Sequence, residues 1–160
     1  MVHVYVLSFN TENYADFASL YPSIIIEKNL CWSTFVPDFP DTSDPNLLKV
    51  EIGPGKTYYF HQGRTGVLPS ILRSVLAERK AVKRQMKKET GMMKAILNAK
   101  QAALKVVANG SYGYCGRKSG EMLCPAISET TTYFGRQLID MSIHDIKKYF
   151  GTEARPIYGG

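Results

Sequence analysis

The chain passes from strand to helix within one short segment, Asp-Phe-Ala-Ser-Leu-Tyr-Pro-Ser-Ile-Ile at residues 16–25. Tyr14 to Leu20 has the composition of a strand that ends in a turn. Pro22 then favours the first turn of a short helix over Ser23 to Asn29, because a proline there loses no intrahelical hydrogen bond. The segment therefore predicts a domain that mixes strands with helices.

Further strands are predicted on both sides of this segment. Residues 2–9 are rich in the β-branched and aromatic types that strands favour. Leu47 to Ile52 and Lys56 to His61 flank a Gly-Pro-Gly turn and predict a hairpin. The turn continues into Lys56 and Thr57, which resembles the end of a phosphate-binding loop. That interpretation fails because Val50 stands where the loop needs glycine and no helix follows.

Helical periodicity begins at Leu68 and continues past Val82, with apolar residues at every third or fourth position. Gly91 interrupts it, and a second helix is predicted over Met92 to Ala108. Two helices joined by so short a turn should pack antiparallel as a hairpin. A third helix is predicted over Ser128 to Tyr149. The apolar side of the second helix is predicted to contain Met93, Ile96, Leu97, Ala103, Leu104 and Val107.

These elements predict the α+β class. A small sheet should contain the Tyr14 to Leu20 strand, the hairpin near residue 55 and a strand that begins at Arg155. The antiparallel helical hairpin should project from that sheet, and a further helix should follow toward the C terminus. At 160 residues the chain is about the size of one ordinary domain.

The charge is concentrated in one part of the chain. The formal net charge is +6, but residues 73–118 contain twelve Lys or Arg and two Asp or Glu, a net charge of +10. Such a segment predicts a polyanionic partner, which can be nucleic acid, nucleotide phosphates or an anionic membrane. From charge alone, a solvated helix face explains the segment equally well.

The sequence disfavours a membrane-spanning protein, a secreted protein and a disulfide- or zinc-stabilised fold. No apolar run approaches the roughly 18 to 20 residues that span a bilayer, and the first ten residues lack the features of a signal peptide. We therefore expect an intracellular protein with no membrane partner. Cys31, Cys115 and Cys124 are odd in number and include no Cys-x-x-Cys pair, so buried free thiols are favoured over disulfides or a zinc site.

Two helical stripes carry candidate phosphate ligands. Arg79, Lys83 and Lys87 recur every four residues along the first helix of the hairpin, which places them on one face. For Lys87 a role in solubility is the favoured alternative. If the stripes of the two helices meet at a cleft, they would surround a triphosphate and its base. The stripe on the second helix consists of Lys105, Asn109 and Tyr112.

Asp16 is the candidate metal ligand. It ends a β-like run, and no other acidic residue follows until Glu27. An aspartate at a strand end is more often a turn or cap former. However, Ser19, Leu20 and Tyr21 lead into a helix start, where unpaired backbone N–H groups accept phosphate oxygens. A carboxylate beside such N–H groups would hold a metal-bound triphosphate.

The chain resembles family B DNA polymerases, and most of all the delta-like replicative enzymes and their relatives in large DNA viruses. Asp16 to Ile25 resembles the family's motif A, and Lys105 to Gly113 resembles its motif B, with Gly110 where a serine is usual. Residues 76–83 are similar to the family's first fingers helix. Residues 123–130 and 134–137 are similar to the segment that follows motif B.

The resemblance implies a catalytic role for Asp16, which would bind two Mg²⁺ ions, with the backbone carbonyl of Phe17 as a further ligand. Ser19, Leu20 and Tyr21 would contact the triphosphate through backbone N–H groups. The ring of Tyr21 would lie under the sugar and exclude a 2′-hydroxyl group.

The resemblance also implies roles for the two cationic stripes. Arg79, Lys83 and Lys105 would bind the phosphates of the incoming nucleotide, and Lys105 would be catalytic. Asn109 would lie near the nascent base pair, and Tyr112 would approach the templating base pair from the minor-groove side. Gly113 would also contact the DNA.

The chain departs from the family pattern at residues 158–160. Family members follow Tyr-Gly with Asp-Thr-Asp-Ser, which supplies a second metal-binding aspartate, whereas Tyr158-Gly159 is followed here by Gly160. One carboxylate does not assemble a two-metal clamp, so we expect this fragment to be inactive alone. Its expected parts are the N-terminal palm with motif A (residues 1–66), the fingers with motif B (67–113) and the C-terminal palm (114–160).

The implied activity is template-directed transfer of dNTPs to a primer 3′ end. The implied partners are primer-template DNA, a dNTP, and the remainder of the polymerase chain or a complementing fragment. The nucleus or a viral replication site is the expected location. Two alternatives remain open, namely a non-catalytic, basic nucleic-acid-binding module and one piece of a split polymerase.

Overall fold

The structure is a computed structural model. It describes the backbone of residues 4–9, 12–37, 43–117 and 123–150 and the side chains of residues 17–37, 43–117 and 123–148. The elements in that part of the chain are, in order, β1 (Val4–Phe9), β2 (Glu12–Phe17), α1 (Leu20–Glu27), β3 (Phe35–Val36), β4 (Leu47–Gly53), β5 (Lys56–His61), α2 (Val67–Met86), α3 (Gly91–Cys115) and α4 (Pro125–Phe150).

The strands form two separate antiparallel sheets within the described residues. β1 pairs with β2, so that Val4 lies opposite Phe17. The other sheet has the strand order β3-β5-β4. The α+β class is confirmed, but the prediction that the strand after Tyr14 shares a sheet with the hairpin is wrong, because β2 pairs with β1 instead. The strand predicted from Arg155 lies outside the described residues.

α1 begins at Leu20, three residues before its predicted start at Ser23. Ser19 adopts a left-handed backbone conformation with φ 53° and ψ 56°. Its carbonyl accepts the first helical hydrogen bond from the N–H of Ser23, at 3.0 Å. Pro22 lies in the first turn as predicted, where its missing N–H removes no helical bond. The turn at Ser19 is therefore followed directly by the first residue of the helix.

α2 and α3 form the predicted helical hairpin. Glu78 of α2 and Lys100 of α3 make a 2.8 Å ion pair across it. The two residues lie at similar distances from the connection at residues 87–90, so the helices run antiparallel. α3 continues to Cys115, beyond the predicted end at Ala108, and it passes through Gly110 on the way. Ala108 and Cys115 are both buried, so packing outweighs the low helix propensity of glycine.

The core lies where α1, β5 and the three long helices meet. On α3 the buried residues include Leu97, as predicted. The prediction is wrong for Met93, Ile96 and Val107, which are 49%, 55% and 56% exposed. Ile96 and Val107 project from a side of α3 that does not face the core, whereas Met93 shares the face of Leu97 but lies near the start of the helix. The buried hydrophobic cluster consists of Ile24, Ile25, Leu30, Cys31, Phe60, Leu68, Leu72, Ala108, Cys115, Cys124, Ala126 and Ile127.

Asn29 joins the end of α1 to the segment between β5 and α2. It has a left-handed backbone with φ 53°, a conformation that asparagine tolerates at helix C termini. Its Nδ2 donates to the carbonyls of His61 at 3.0 Å and Arg64 at 2.8 Å. Its Oδ1 accepts from the backbone N–H of Gly66 at 2.8 Å. One side chain therefore fixes where α2 starts relative to α1.

The three cysteines are buried free thiols, as predicted. Burial, together with the neighbouring Cys124 and Cys31, raises the pKa of Cys115 to about 11. Since the thiolate is the reactive form, Cys115 behaves as a small apolar residue of the core.

Candidate nucleotide site at the meeting of four helices

The first turn of α1 meets the side of α2. Arg79 of α2 is partly buried, and its Nη1 donates to Ser19 Oγ at 3.4 Å. Arg79 Nε is buried and has no hydrogen-bond partner among the described residues. Ser19 makes no side-chain capping bond to α1, so among the described side chains none caps the first N–H groups of the helix. A guanidinium group and a helix start therefore lie together.

Two tyrosine rings lie beside this helix start. Tyr21 of α1 and Tyr112 of α3 have ring centroids 4.4 Å apart and planes inclined by 38°. The hydroxyl groups of Tyr112 and Thr132 of α4 are 2.7 Å apart. Four helices therefore contribute to one corner of the molecule: α1 and α2 through Ser19 and Arg79, and α1, α3 and α4 through the tyrosines.

The other predicted phosphate ligands lie on the same two helices but are exposed. Lys83, Lys105 and Asn109 form no ion pair or side-chain hydrogen bond with the described residues, and all three are exposed. Lys105 lies roughly 7 Å along α3 from Lys100, at 1.5 Å per residue. Gly113 is exposed near the end of α3. The structure thus brings Arg79 into contact with Ser19 and Tyr21 into contact with Tyr112. It leaves Lys83 and Lys105 exposed to solvent.

Asp16 and Phe17 end β2, immediately before the helix start. The side chain of Asp16 is outside the described part of the molecule. Its backbone is three residues from Ser19, which limits the separation of the two Cα atoms to about 11 Å. Within the described residues no group of three His, Cys, Asp or Glu is arranged to hold a metal. Mg²⁺ is often bound by one or two carboxylates plus substrate phosphates, so a single aspartate is compatible with a metal that arrives with a nucleotide.

Two residues of α4 at this corner were missed from the sequence. Thr132 contacts Tyr112, and Gly135 lies against Tyr21. Thr132 has neither a charge nor a spacing that marks it. Gly135 is an unusual glycine inside a long helix and lies in residues 134–137, which resemble the family segment after motif B, but neither signal gave it a role.

The Gly-Pro-Gly-Lys-Thr turn takes no part in this site. It forms the predicted hairpin turn between β4 and β5, with Gly55 at φ 70°. Lys56 makes a 2.6 Å ion pair with Glu129 of α4, and Tyr58 donates to the same carboxylate at 2.9 Å. An open hollow of about 590 Å³ lies beside this turn and Tyr133. None of the candidate nucleotide ligands lines it.

Comparison with known proteins identifies the family. The family described as "DNA polymerase family B" matches residues 13–157. The chain belongs to DNA polymerase family B. The match includes both segments that resemble motifs A and B, so the resemblance to family B is confirmed.

Curated relatives of this family B chain include catalytic subunits of DNA polymerase delta. The chain is 38% identical to that of Candida albicans over 157 residues, which is 90% of this chain and 15% of the relative. It is 36% identical to that of Caenorhabditis elegans, again over 90% of this chain, and 39% identical to that of Schizosaccharomyces pombe over 86%. The chain spans 13 to 15% of the length of these three relatives.

A solved structure supports the same family. The chain is similar to the family B DNA polymerase from the archaeon Pyrobaculum calidifontis, with a TM-score of 0.69 and 28% identity. The similarity covers 83% of this chain and 17% of the archaeal chain. No helix in the described part of this family B chain is long and apolar enough to cross a membrane.

Proposed function

We propose that this chain forms the nucleotide-binding part of a template-directed DNA polymerase, which adds dNTPs to a primer 3′ end. The observation that carries the proposal is the contact between Arg79 and Ser19. It joins a cation of the helical hairpin to the start of α1, in a chain that belongs to family B. The proposed parts are an N-terminal palm segment (residues 1–66), a fingers hairpin (67–113) and a C-terminal palm segment (114–160).

Asp16 and the Phe17 carbonyl are the proposed ligands for Mg²⁺. When bound there, Mg²⁺ would supply charge neutralisation for phosphoryl transfer. Asp16 would hold the metal-bound nucleotide in place. The proposal for Asp16 is supported by its position three residues before Ser19, the residue that precedes α1.

The triphosphate would lie between the start of α1 and the cations of the hairpin. The N–H groups of Ser19, Leu20 and Tyr21 would donate to phosphate oxygens, a common use of a helix N terminus. The contact of Arg79 with Ser19 supports a phosphate-binding role for this residue. Because Nε of Arg79 lacks a partner among the described residues, a phosphate oxygen would satisfy a donor that is otherwise buried at a cost. The further phosphate ligands on the hairpin would be Lys83, Lys105 and Asn109, with Lys105 also stabilising the transition state.

The sugar and base would contact the tyrosine pair. In this proposal the ring of Tyr21 lies under the sugar and leaves no room for a 2′-hydroxyl group. Tyr112 and Gly113 would approach the DNA beside the nascent base pair. The short distance between the Tyr21 and Tyr112 rings supports a single surface that contacts both sugar and base.

The test is metal-dependent nucleotide binding by the 160-residue chain. We expect dATP to bind in the presence of Mg²⁺, and Asp16→Ala to weaken that binding by about tenfold or more, because the metal loses its protein carboxylate. Removal of Mg²⁺ with EDTA should weaken binding by the wild-type chain in the same way. Isothermal titration calorimetry gives both affinities.

Asp140→Ala is the matched control, since Asp140 is an exposed carboxylate on α4 outside the proposed site. It removes the same charge and should leave the affinity unchanged. If Asp16→Ala binds dATP as tightly as wild type in Mg²⁺, the polymerase-site proposal is wrong.

The second candidate is a non-catalytic, basic nucleic-acid-binding module. It is favoured by the net charge of +10 between residues 73 and 118 and by the exposed lysines of the hairpin. It predicts salt-sensitive DNA binding that is indifferent to Mg²⁺ and to Asp16→Ala, since a face that follows the DNA backbone needs no metal.

For the polymerase proposal, the partners are primer-template DNA, a dNTP, and the rest of a polymerase in the same or another chain. The proposed location is the nucleus or a viral replication site.

A further inference from the structure

The tyrosine pair is held by one face of α4. Thr132 and Gly135 are three residues apart in α4, so they lie on the same side of that helix. Thr132 contacts Tyr112 and Gly135 contacts Tyr21. Since the two rings are themselves in contact, a single helix face touches both members of the pair.

The Thr132 hydroxyl fixes the position of the Tyr112 hydroxyl. Thr132 Oγ1 donates to the carbonyl of Ser128 at 2.9 Å. A threonine hydroxyl has one proton, so in the 2.7 Å contact with Tyr112 the tyrosine is the donor. Thr132 therefore acts as an acceptor there, and a serine at this position would keep the bond whereas a valine would remove it.

Gly135 leaves the space in which the Tyr21 ring lies. A Cβ atom added at Gly135 would be 3.0 Å from Cε1 of Tyr21 and 3.7 Å from Cδ1 of Ile24. Glycine inside a helix is destabilising relative to alanine. Gly135 is buried in the middle of α4. The close approach of the Tyr21 ring explains why glycine occupies this position.

We propose that the Thr132 and Gly135 face of α4 sets the position of the Tyr21 ring and thereby the discrimination between deoxyribonucleotides and ribonucleotides. Both are positioning residues that act through the tyrosines. The proposal rests on the proposed function, in which the Tyr21 ring contacts the sugar. A ring that excludes one hydroxyl group must be held closely, because a shift of a few tenths of an ångström changes which sugars fit beneath it.

The experiment compares the affinities of the 160-residue chain for dATP and ATP in Mg²⁺. We expect Gly135→Ala to reduce the preference for dATP by about threefold or more, because overpacking a closed contact displaces the neighbouring side chain. Thr132→Val should also reduce the preference for dATP, whereas Thr132→Ser should keep the wild-type preference. Gly53→Ala is the matched control, since a Cβ there meets nothing within 4 Å and the residue is outside the proposed site.

A second measurement reports ring position without any nucleotide. With ¹³C-labelled tyrosine, the ring resonances of Tyr21 should shift in Gly135→Ala and Thr132→Val, and should stay in place in Gly53→Ala. This readout keeps the proposal testable in a variant of lowered stability, since folded and unfolded resonances are separate.

The outcomes distinguish this proposal from the proposed function. If Gly135→Ala and Thr132→Val keep the wild-type preference, or lose affinity for dATP and ATP equally, α4 has only a structural role and the inference is overturned. If the Tyr21 resonances do not move, the positioning claim is wrong even where nucleotides bind. If the wild-type chain binds neither nucleotide, the proposed function fails, and the specificity inference fails with it.

Discussion

At the scale of single residues, the side chain of Asn29 stabilises the junction between the end of α1 and the start of α2. Its side chain makes three hydrogen bonds to the backbone around the start of α2, and the residue is only 9% exposed. Thr34 Oγ1 also donates to the Asn29 carbonyl at 2.7 Å. Buried backbone groups that lose a partner are costly, so this one side chain stabilises the junction that places Arg79 near Ser19.

The substitution Asn29→Ala tests this role. It leaves two carbonyls and one N–H without their partner, and it puts alanine in a left-handed conformation. We expect the free energy of unfolding to fall by about 2 to 4 kcal/mol, from the unsatisfied groups and the strained backbone. Urea unfolding followed by circular dichroism measures the change.

Asn98→Ala is the control for Asn29→Ala. Asn98 is an exposed residue of α3 whose side-chain Oδ1 accepts a hydrogen bond from Gln101 Nε2 at 3.0 Å. Its replacement should change stability by less than about 0.5 kcal/mol, as is usual for surface sites. If the two substitutions change the free energy of unfolding equally, the hydrogen bonds of Asn29 contribute no more to stability than a surface side chain does.

At the scale of elements, periodicity predicted the helical hairpin and turn chemistry predicted the β4–β5 hairpin, because both signals are local. The end of α3 could not be predicted in this way. Gly110 and Gly113 indicate an exit from the helix, yet the buried Ala108 and Cys115 extend it. The separate pairing of β2 with β1 depends on contacts between segments, which no local pattern encodes.

The candidate site was predictable to a similar degree. Charges and helix spacing indicated Arg79, and the turn before Pro22 indicated Ser19, and these two residues are in contact. Thr132 carries no charge and follows no pattern, and the signals at Gly135 indicate no role. Only the packing of α4 against the tyrosines shows that both residues belong to the site.

Gly110→Ala tests where α3 ends. In the structure Gly110 lies inside the helix, has no positive φ, and a Cβ there meets nothing within 4 Å. Alanine should therefore raise the free energy of unfolding by about 0.4 to 1 kcal/mol, through the lower entropy of the unfolded chain. Gly55→Ala, at φ 70° in the β4–β5 turn, should have the opposite sign. A helix that ended at Ala108, with Gly110 in a left-handed cap, would instead make Gly110→Ala destabilising in the same unfolding experiment.

At the scale of the whole molecule, the helical hairpin carries most of the positive charge on exposed positions. Only Lys100 among its lysines makes an ion pair with a described residue. The rest of the chain is net negative, since the total is +6. The exposed cations of the hairpin in the described part of the chain include Arg73, Lys80, Lys83, Arg84, Lys87, Lys88, Lys94 and Lys105.

This asymmetry predicts how the chain binds DNA. The affinity for a fluorescent duplex, measured by anisotropy, should fall linearly with salt on a double logarithmic plot, because each phosphate contact releases counterions. Lys83→Ala should reduce the magnitude of the slope by about 0.9 if it contacts a duplex phosphate. Lys147→Ala removes an exposed lysine in the last turn of α4 and should leave the slope unchanged.

The same titration separates the two candidate functions when Mg²⁺ and dATP are added. In a polymerase site, Lys83 binds the nucleotide, so dATP with Mg²⁺ should compete with that lysine's DNA contact and reduce the salt slope of the wild-type chain. Asp16→Ala should abolish this response, because the metal-bound triphosphate is no longer held. A slope that is identical with and without the nucleotide, and in Asp16→Ala, would favour a basic surface that follows the DNA backbone. An equal loss of slope in Lys147→Ala and Lys83→Ala would contradict both assignments, since binding would then be spread over the whole molecule.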